Sequence, residues 1–211
     1  MSRAKYPLPK INSNFGLCGT PDQYNKNLGG KVKYRPTQTN DLDEIHQLYS
    51  DVIANSQTWG WDKHYPSKEM IQKDIESHEL YCVEVNKQII AVCQAGKIKD
   101  PNEVKNWQDK SIKNPGAFAR ITVHLDWRGK GIGKYLTQHI LNTLYEHGFD
   151  GVRIKVAKDN LVARKLYDSL GFNNCGEVRL WDIDWLAYEK SLGKELGTPY
   201  CSNSNFEKYD N

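Results

Sequence analysis

The stretch that most limits what this chain can fold into is "WRGKGIGKYL", residues 127–136, in which glycines at 129, 131 and 133 alternate with Lys130 and Ile132 and are flanked by Arg128 and Lys134. The β-rich run "AFARITVHL" ends just before it, and from Gly131 onward Ile132, Leu136, Ile140 and Leu144 recur at four-residue spacing. The loop therefore joins a strand to a helix. The first N–H groups of a helix have no partner within it, and the helix dipole makes that end positive. Glycines remove the Cβ atoms that would hold a phosphate away from those amides, and they allow the φ values that a nest of N–H groups needs. The segment reads as an anion site with Arg128 and Lys134 at its rim.

Two familiar phosphate loops do not fit. A nucleotide-triphosphate loop needs Gly five residues before the Gly-Lys pair and Ser or Thr after it; Arg128 and Tyr135 stand there. A dinucleotide loop needs a third glycine where Lys134 sits, and an acidic residue ending a following parallel strand.

The totals narrow the partners. With 211 residues, the chain suits one main domain. Its 29 basic and 26 acidic residues give only +3, too balanced for a nucleic-acid footprint and better matched to a discrete anionic ligand. Cys18, Cys82, Cys93, Cys175 and Cys201 are odd in number and form no CxxC pair, so neither a disulfide framework nor a zinc site is expected. They read as reduced thiols of a cytoplasmic protein. The start "MSRAKYPLPK" has no apolar core of a signal peptide, and no run of 18 apolar residues occurs, so secretion and membrane association are not expected.

Residues 1–30 show no periodicity and read as an irregular arm, and 192–211 as a polar tail, leaving a domain at 31–191. Within it "KVKYRPTQ" alternates as a strand, and Asp41 with Glu44 has the spacing of a capping box before a helix carrying Leu42, Ile45, Leu48, Tyr49 and Val52. Ser67 caps a short second helix. The runs "ELYCVEV" and "QIIAVCQAG" form a hairpin turning at Asn86-Lys87. The polar insert at 96–116 is long for a hairpin connection and reads as a mobile loop or lid. The order is β-α-α-β-β-β-α-β-α-β-β.

Downstream, "NLVARKLYDSLGF" places Asn160, Ala163, Leu166, Tyr167, Gly171 and Phe172 at the spacing N-x-x-A-x-x-L-Y-x-x-x-G-F, after an Arg-x-x-Gly-x-Gly formed by Arg128, Gly131 and Gly133. In combination these resemble the acetyl-CoA-binding motifs of the GNAT acetyltransferase superfamily, over about 31–190. The resemblance implies a mixed α/β fold with a mostly antiparallel, centrally splayed sheet flanked by helices. It implies acetyl-CoA as co-substrate and no metal. The cofactor pyrophosphate would lie on Arg128, Gly129, Lys130, Gly131, Ile132, Gly133 and Lys134. The strand before the loop would be kinked by a bulge, with backbone groups at Ile121 and Val123 pairing with the pantetheine arm. Asn160 maps to the family's asparagine, although Asp159-Asn160 before a helix is equally ordinary capping chemistry. Tyr167 maps to its tyrosine. A phenol of pKa about 10 can protonate a leaving thiolate of roughly 8.5 to 10 without a large mismatch, which makes Tyr167 the expected general acid.

The sequence departs from the family at two places. Protein-lysine members carry a glutamate early in this strand as general base, whereas "GAFAR" has no carboxylate; the base is left open among water, Asp62, His64, Glu84, His124 and Asp184. Leu125 stands where the family commonly has proline. For the acceptor, Trp59, Trp61, Asp62 and Tyr65 in "NSQTWGWDKHYPSKE" suggest an aromatic cage with one carboxylate, suited to a cationic amine. Trp181, Asp182 and Trp185 would form the opposite wall or join the core. The expectation is an N-acetyltransferase for a small primary amine, acting by direct attack in a ternary complex. The alternatives are a protein or peptide N-acetyltransferase and a non-catalytic acyl-CoA-binding module. The resemblance also allows a homodimer.

Overall fold

The turn at Asn86-Lys87 shows how local chemistry sets this fold: both residues hold positive φ, 52° and 68°, the geometry a two-residue hairpin turn needs to match strand twist. A computed structural model describes residues 31–193 except 99, 101 and 102; the expected arm at 1–30 and the tail from 194 lie outside the described residues. The elements are β1 (Val32–Pro36), α1 (Leu42–Asn55), α2 (Lys68–Glu76), β2 (Leu80–Val85), β3 (Gln88–Lys97), β4 (Pro115–Val123), α3 (Ile132–Glu146), β5 (Gly151–Ala157), α4 (Leu161–Ser169), β6 (Asn173–Leu180) and β7 (Ile183–Ser191).

Seven strands form one sheet in the order β1-β2-β3-β4-β5-β7-β6. Only β4 and β5 run parallel; the other pairs are antiparallel. The near-continuous apolar runs of β2 and β3 follow from burial on both faces. Tyr81, Val83 and Val85 point into the core beneath α3 and α4, and Leu80 and Cys82 into the one beneath α1 and α2.

The expected capping box gives way to contacts outside the helix. Asp41 precedes α1 without a side-chain cap bond; its carboxylate holds Arg35 Nη1 at 2.6 Å and Nη2 at 3.0 Å and accepts from Gln38 N. Glu44 instead accepts from Ile89 N of β3 at 2.7 Å, so the capping box is not formed. A charged partner and a strand amide out-compete the local cap. Ser67 does cap α2, its Oγ accepting from Met70 N.

The insert is not a free lid, because its described residues are strapped across the face of the sheet opposite α4. Val104 and Trp107 pack on Cys175 and Ala187. Glu189 of β7, 1% exposed, accepts from Gln108 N at 2.8 Å and Asp109 N at 2.6 Å. Glu103 pairs with Lys155, Asn106 Nδ2 donates to Cys175 O, and Asp150 accepts from Lys113 N and Asn114 N. Burial acts to raise the pKa of Glu189, but the Asp109 N–H, Cys175, the Gln108 N–H and Arg153 together hold it below the usual carboxylate range.

Candidate active site

The site begins where β4 loses a partner. β4 pairs with β5 only at Pro115↔Gly151 and Gly116↔Val152, while β5 pairs with β7 along its whole length, Gly151↔Ser191 to Ala157↔Trp185. The two strands therefore splay, and Ala119 in mid-strand is exposed. The cause lies on the other edge of β4. Its register with β3 shifts between Val92↔Thr122 and Gln94↔Ala119, so Arg120 and Ile121 together oppose Cys93 in a β-bulge. Arg120 takes φ 52°, a conformation costing a non-glycine residue roughly 1–2 kcal/mol, and bulges bend and twist their strand.

His124 N donates to Ile90 O of β3 at 2.8 Å, and strand alternation then turns the N–H and C=O of Val123 toward the gap. One short turn, Leu125–Trp127, follows, and the chain reaches the glycine loop. Gly129 and Gly131 hold φ +73° and +80°, which side chains with a Cβ rarely adopt. Gly131 caps α3. Gly133 has a different reason: a Cβ there would meet only Leu166 Cδ2 and Val123 Cγ2, each at 3.8 Å. Neither backbone nor neighbours demand glycine at 133, so the space it leaves fits an outside group resting on the helix amides. The loop's cations are partly committed. Arg128 Nε donates to Val123 O at 3.2 Å and Nη2 to Ser56 Oγ at 3.3 Å, and Lys130 Nζ lies 4.9 Å from the centroid of Trp127.

Behind the gap, α4 places Leu166 against Gly133 and Tyr167 in the core. The Tyr167 ring meets Phe118, Phe172 and Tyr188 with centroids 5.8, 5.5 and 5.9 Å away, and burial raises its pKa above the ordinary phenol value. Asn160 caps α4, its Oδ1 accepting from Ala163 N at 3.1 Å. The thiols are poor nucleophiles: burial pushes Cys93 up, and burial followed by Glu189 pushes Cys175 up to about 11. Among the described residues, no group of three or more His, Cys, Asp and Glu could hold a metal ion.

Among the residues expected to meet an acceptor, the α1–α2 loop brings Trp61 and Tyr65 together, 6.4 Å apart and edge-on, with Tyr49 5.7 Å from Trp61. Asp62 joins this group through its backbone, Tyr65 N donating to Asp62 O, but its exposed carboxylate accepts from His64 N at 2.7 Å. Trp59 makes no ring contact with them among the described aromatic pairs, and its Nε1 is buried without a partner. The loop bridges the mouth of the gap: Ser56 meets Arg128 on one side, and a Cβ on Gly60 would meet Ile183 Cδ1 of β7 at 3.3 Å on the other. Across from it, Trp181 stands in the β6–β7 turn, 68% exposed, under Lys155 Nζ at 4.5 Å and edge-on to Trp185. Glu84 of β2 is bound to Arg35 of β1, with β3 between it and β4. Asp184 is bound to Arg179 at 2.7 Å, and His124 Nδ1 accepts from Asp126 N.

Sequence reasoning missed three residues here: Arg120, Asp74 and Tyr49. Arg120 donates through Nη2 to Asp74 of α2, their side chains 7% and 6% exposed. Tyr49 Oη donates to Arg120 O at 3.2 Å. A single cation inside the otherwise uncharged run "PGAFARITV" was the signal available.

A strand edge left open beside a glycine-capped helix, in a seven-stranded sheet covered by two helix pairs, is the architecture of the N-acetyltransferases. The acetyltransferase (GNAT) family matches residues 42–172, over half of the chain, and the chain belongs to that family. Mycothiol acetyltransferase from Nocardiopsis dassonvillei is 38% identical over 64 residues, 30% of this chain and 18% of that protein. The [ribosomal protein bS18]-alanine N-acetyltransferase of Escherichia coli is 31% identical over 62 residues, 29% of this chain and 42% of its own length. The chain thus spans less than half the length of the curated relatives it matches. Among solved structures, a putative acetyltransferase from Salmonella typhimurium, determined with acetyl-CoA, superposes with a TM-score of 0.61 at 15% identity, covering 81% of this chain and 99% of that one.

Proposed function

We propose that the protein transfers an acetyl group from acetyl-CoA to the primary amine of a small molecule by direct attack. The open edge of β4 beside the glycine loop carries this reading: it offers backbone groups at Ile121 and Val123 to an extended pantetheine arm and the amides at Gly131–Lys134 to its diphosphate. The amine nitrogen bonds to the acetyl carbon as the C–S bond breaks, and the electron pair leaves on sulfur. Tyr167 gives its proton to that thiolate and is reprotonated through water by the proton that the new amide nitrogen sheds. Burial raises the phenol above its ordinary value, so the match of free pKa values does not carry over and the proton passes to a thiolate held in the same apolar surroundings. Among the described residues burial raises Cys82, Cys93 and Cys175 alike, which disfavours a covalent acyl-enzyme.

A small acceptor is favoured over a peptide because the α1–α2 loop closes the mouth on two sides, at Arg128 and at Ile183. The rings of Trp61 and Tyr65 would then receive the cation's approach. A cytoplasmic reaction suits the three buried free thiols Cys82, Cys93 and Cys175. The deciding experiment follows thiol release from acetyl-CoA with a panel of monoamines, polyamines and peptides with free N-termini. Small amines should turn over with the higher kcat/KM. Turnover confined to peptides would transfer the reading to protein N-acetylation, and CoA binding without turnover would leave a binding module.

A further inference from the structure

Arg120 is the only charged residue of β4, and it is held at both ends. Its side chain is 7% exposed while the residue as a whole is half-buried, so the guanidinium is withdrawn from solvent. Nη2 donates to Asp74, and Nη1 stands 3.5 Å from the Tyr65 hydroxyl. Its carbonyl accepts from Tyr49 Oη at 3.2 Å and from Thr122 Oγ1 at 3.3 Å. Tyr49 belongs to α1, so this carbonyl leaves the sheet plane toward α1. In a planar trans peptide the N–H points opposite to the C=O. The Ile121 N–H is therefore turned away from α1, toward the side on which Tyr167 lies.

We infer that Arg120, Asp74 and Tyr49 are positioning residues that lock the Arg120–Ile121 peptide, so that the Ile121 N–H donates to the thioester carbonyl oxygen as negative charge builds on it. This rests on the acetyl-transfer reading above. A donor fixed before the reaction needs no reorganisation at the transition state, and a bulge held open at φ 52° by a non-glycine residue needs an anchor outside the strand. The buried pair supplies it, because two opposite charges held together away from water resist being drawn apart. Burial also raises the Tyr49 pKa, which keeps its hydroxyl a donor at all working pH values.

Isotope-edited infrared spectra of bound [1-13C]acetyl-CoA read the carbonyl directly and require no acceptor. Wild type should lower the carbonyl stretch relative to the free thioester, and Arg120→Gly and Tyr49→Phe should move it back. Glycine accepts positive φ, so a loss in Arg120→Gly reports the missing anchor and not backbone strain. Tyr49→Phe keeps the ring against Trp61 and serves if the first variant does not fold. With an active amine, kcat should fall about a hundredfold for Arg120→Gly and about tenfold for Tyr49→Phe, with KM for acetyl-CoA within about threefold. A stretch unchanged in every folded variant overturns the inference, even if wild type acetylates amines. If the stretch responds but no amine releases thiol, the inference stands and the acceptor reading fails.

Discussion

The imidazole of His139 on α3 stacks on the ring of Tyr34 on β1, centroids 4.7 Å apart and planes 15° apart. The ring of Tyr135 meets the same imidazole edge-on at 4.4 Å, and burial pushes the imidazole pKa down from 6.5 to about 4. The unfolded chain takes up this proton near pH 6.5 and the folded one only near 4, so between those values the unfolded state binds more protons. The loss of stability is absent above about 6.5 and complete below about 4, of order 2–4 kcal/mol. Denaturant midpoints of wild type and His139→Phe, measured at pH 7, 5 and 4, should diverge as the pH falls. Parallel curves would remove the histidine from the account.

Glu189 predicts a local weakness. With its carboxylate gone, Gln108 N and Asp109 N lose their acceptor and Arg153 its partner. Glu189→Ala should cost roughly 2–4 kcal/mol. Hydrogen exchange at the amides of 108 and 109 should accelerate more than in β5. Uniform acceleration across both regions would mean that the strap over β7 is not a separate unit.

Gly133 predicts opposite signs for stability and binding. Its φ is not positive and a Cβ meets nothing closer than 3.8 Å, so Gly133→Ala should leave the protein as stable or up to about 1 kcal/mol more so. Coenzyme A affinity, by calorimetry, should weaken tenfold or more because the methyl occupies the approach to the helix amides. Unaltered affinity would place the diphosphate elsewhere.

Tyr167→Phe keeps the ring contacts with Phe118 and Tyr188 and removes only the hydroxyl. Turnover should drop about a hundredfold while coenzyme A affinity stays within about threefold. Wild-type kcat in the variant would return Tyr167 to a purely packing role.

Much of this was legible because it is local. Alternation in β1, the four-residue spacing of α3 and the Ser67 cap depend on neighbours a few residues away, and the glycines at 129 and 131 declare their positive φ in their own chemistry. The Asp41–Glu44 pair misled because both carboxylates found stronger partners outside the helix, Asp41 at Arg35 of β1 and Glu44 at the sequence-distant Ile89 of β3. The insert likewise looked loose, since its tethers at Cys175, Glu189 and Asp150 lie at distant positions.

The sequence by itself determined the strand–glycine loop–helix unit, the order of elements and the motif that names the family, because backbone preferences and residue spacing act within one turn or one strand. Only the tertiary structure decided where β4 parts from β5, that Arg120 sits at the kink beside Asp74 and Tyr49, and that the α1–α2 loop reaches both Arg128 and β7. Those relations join residues such as 49, 74 and 120, and a chain has no local signal for a partner that only packing brings near.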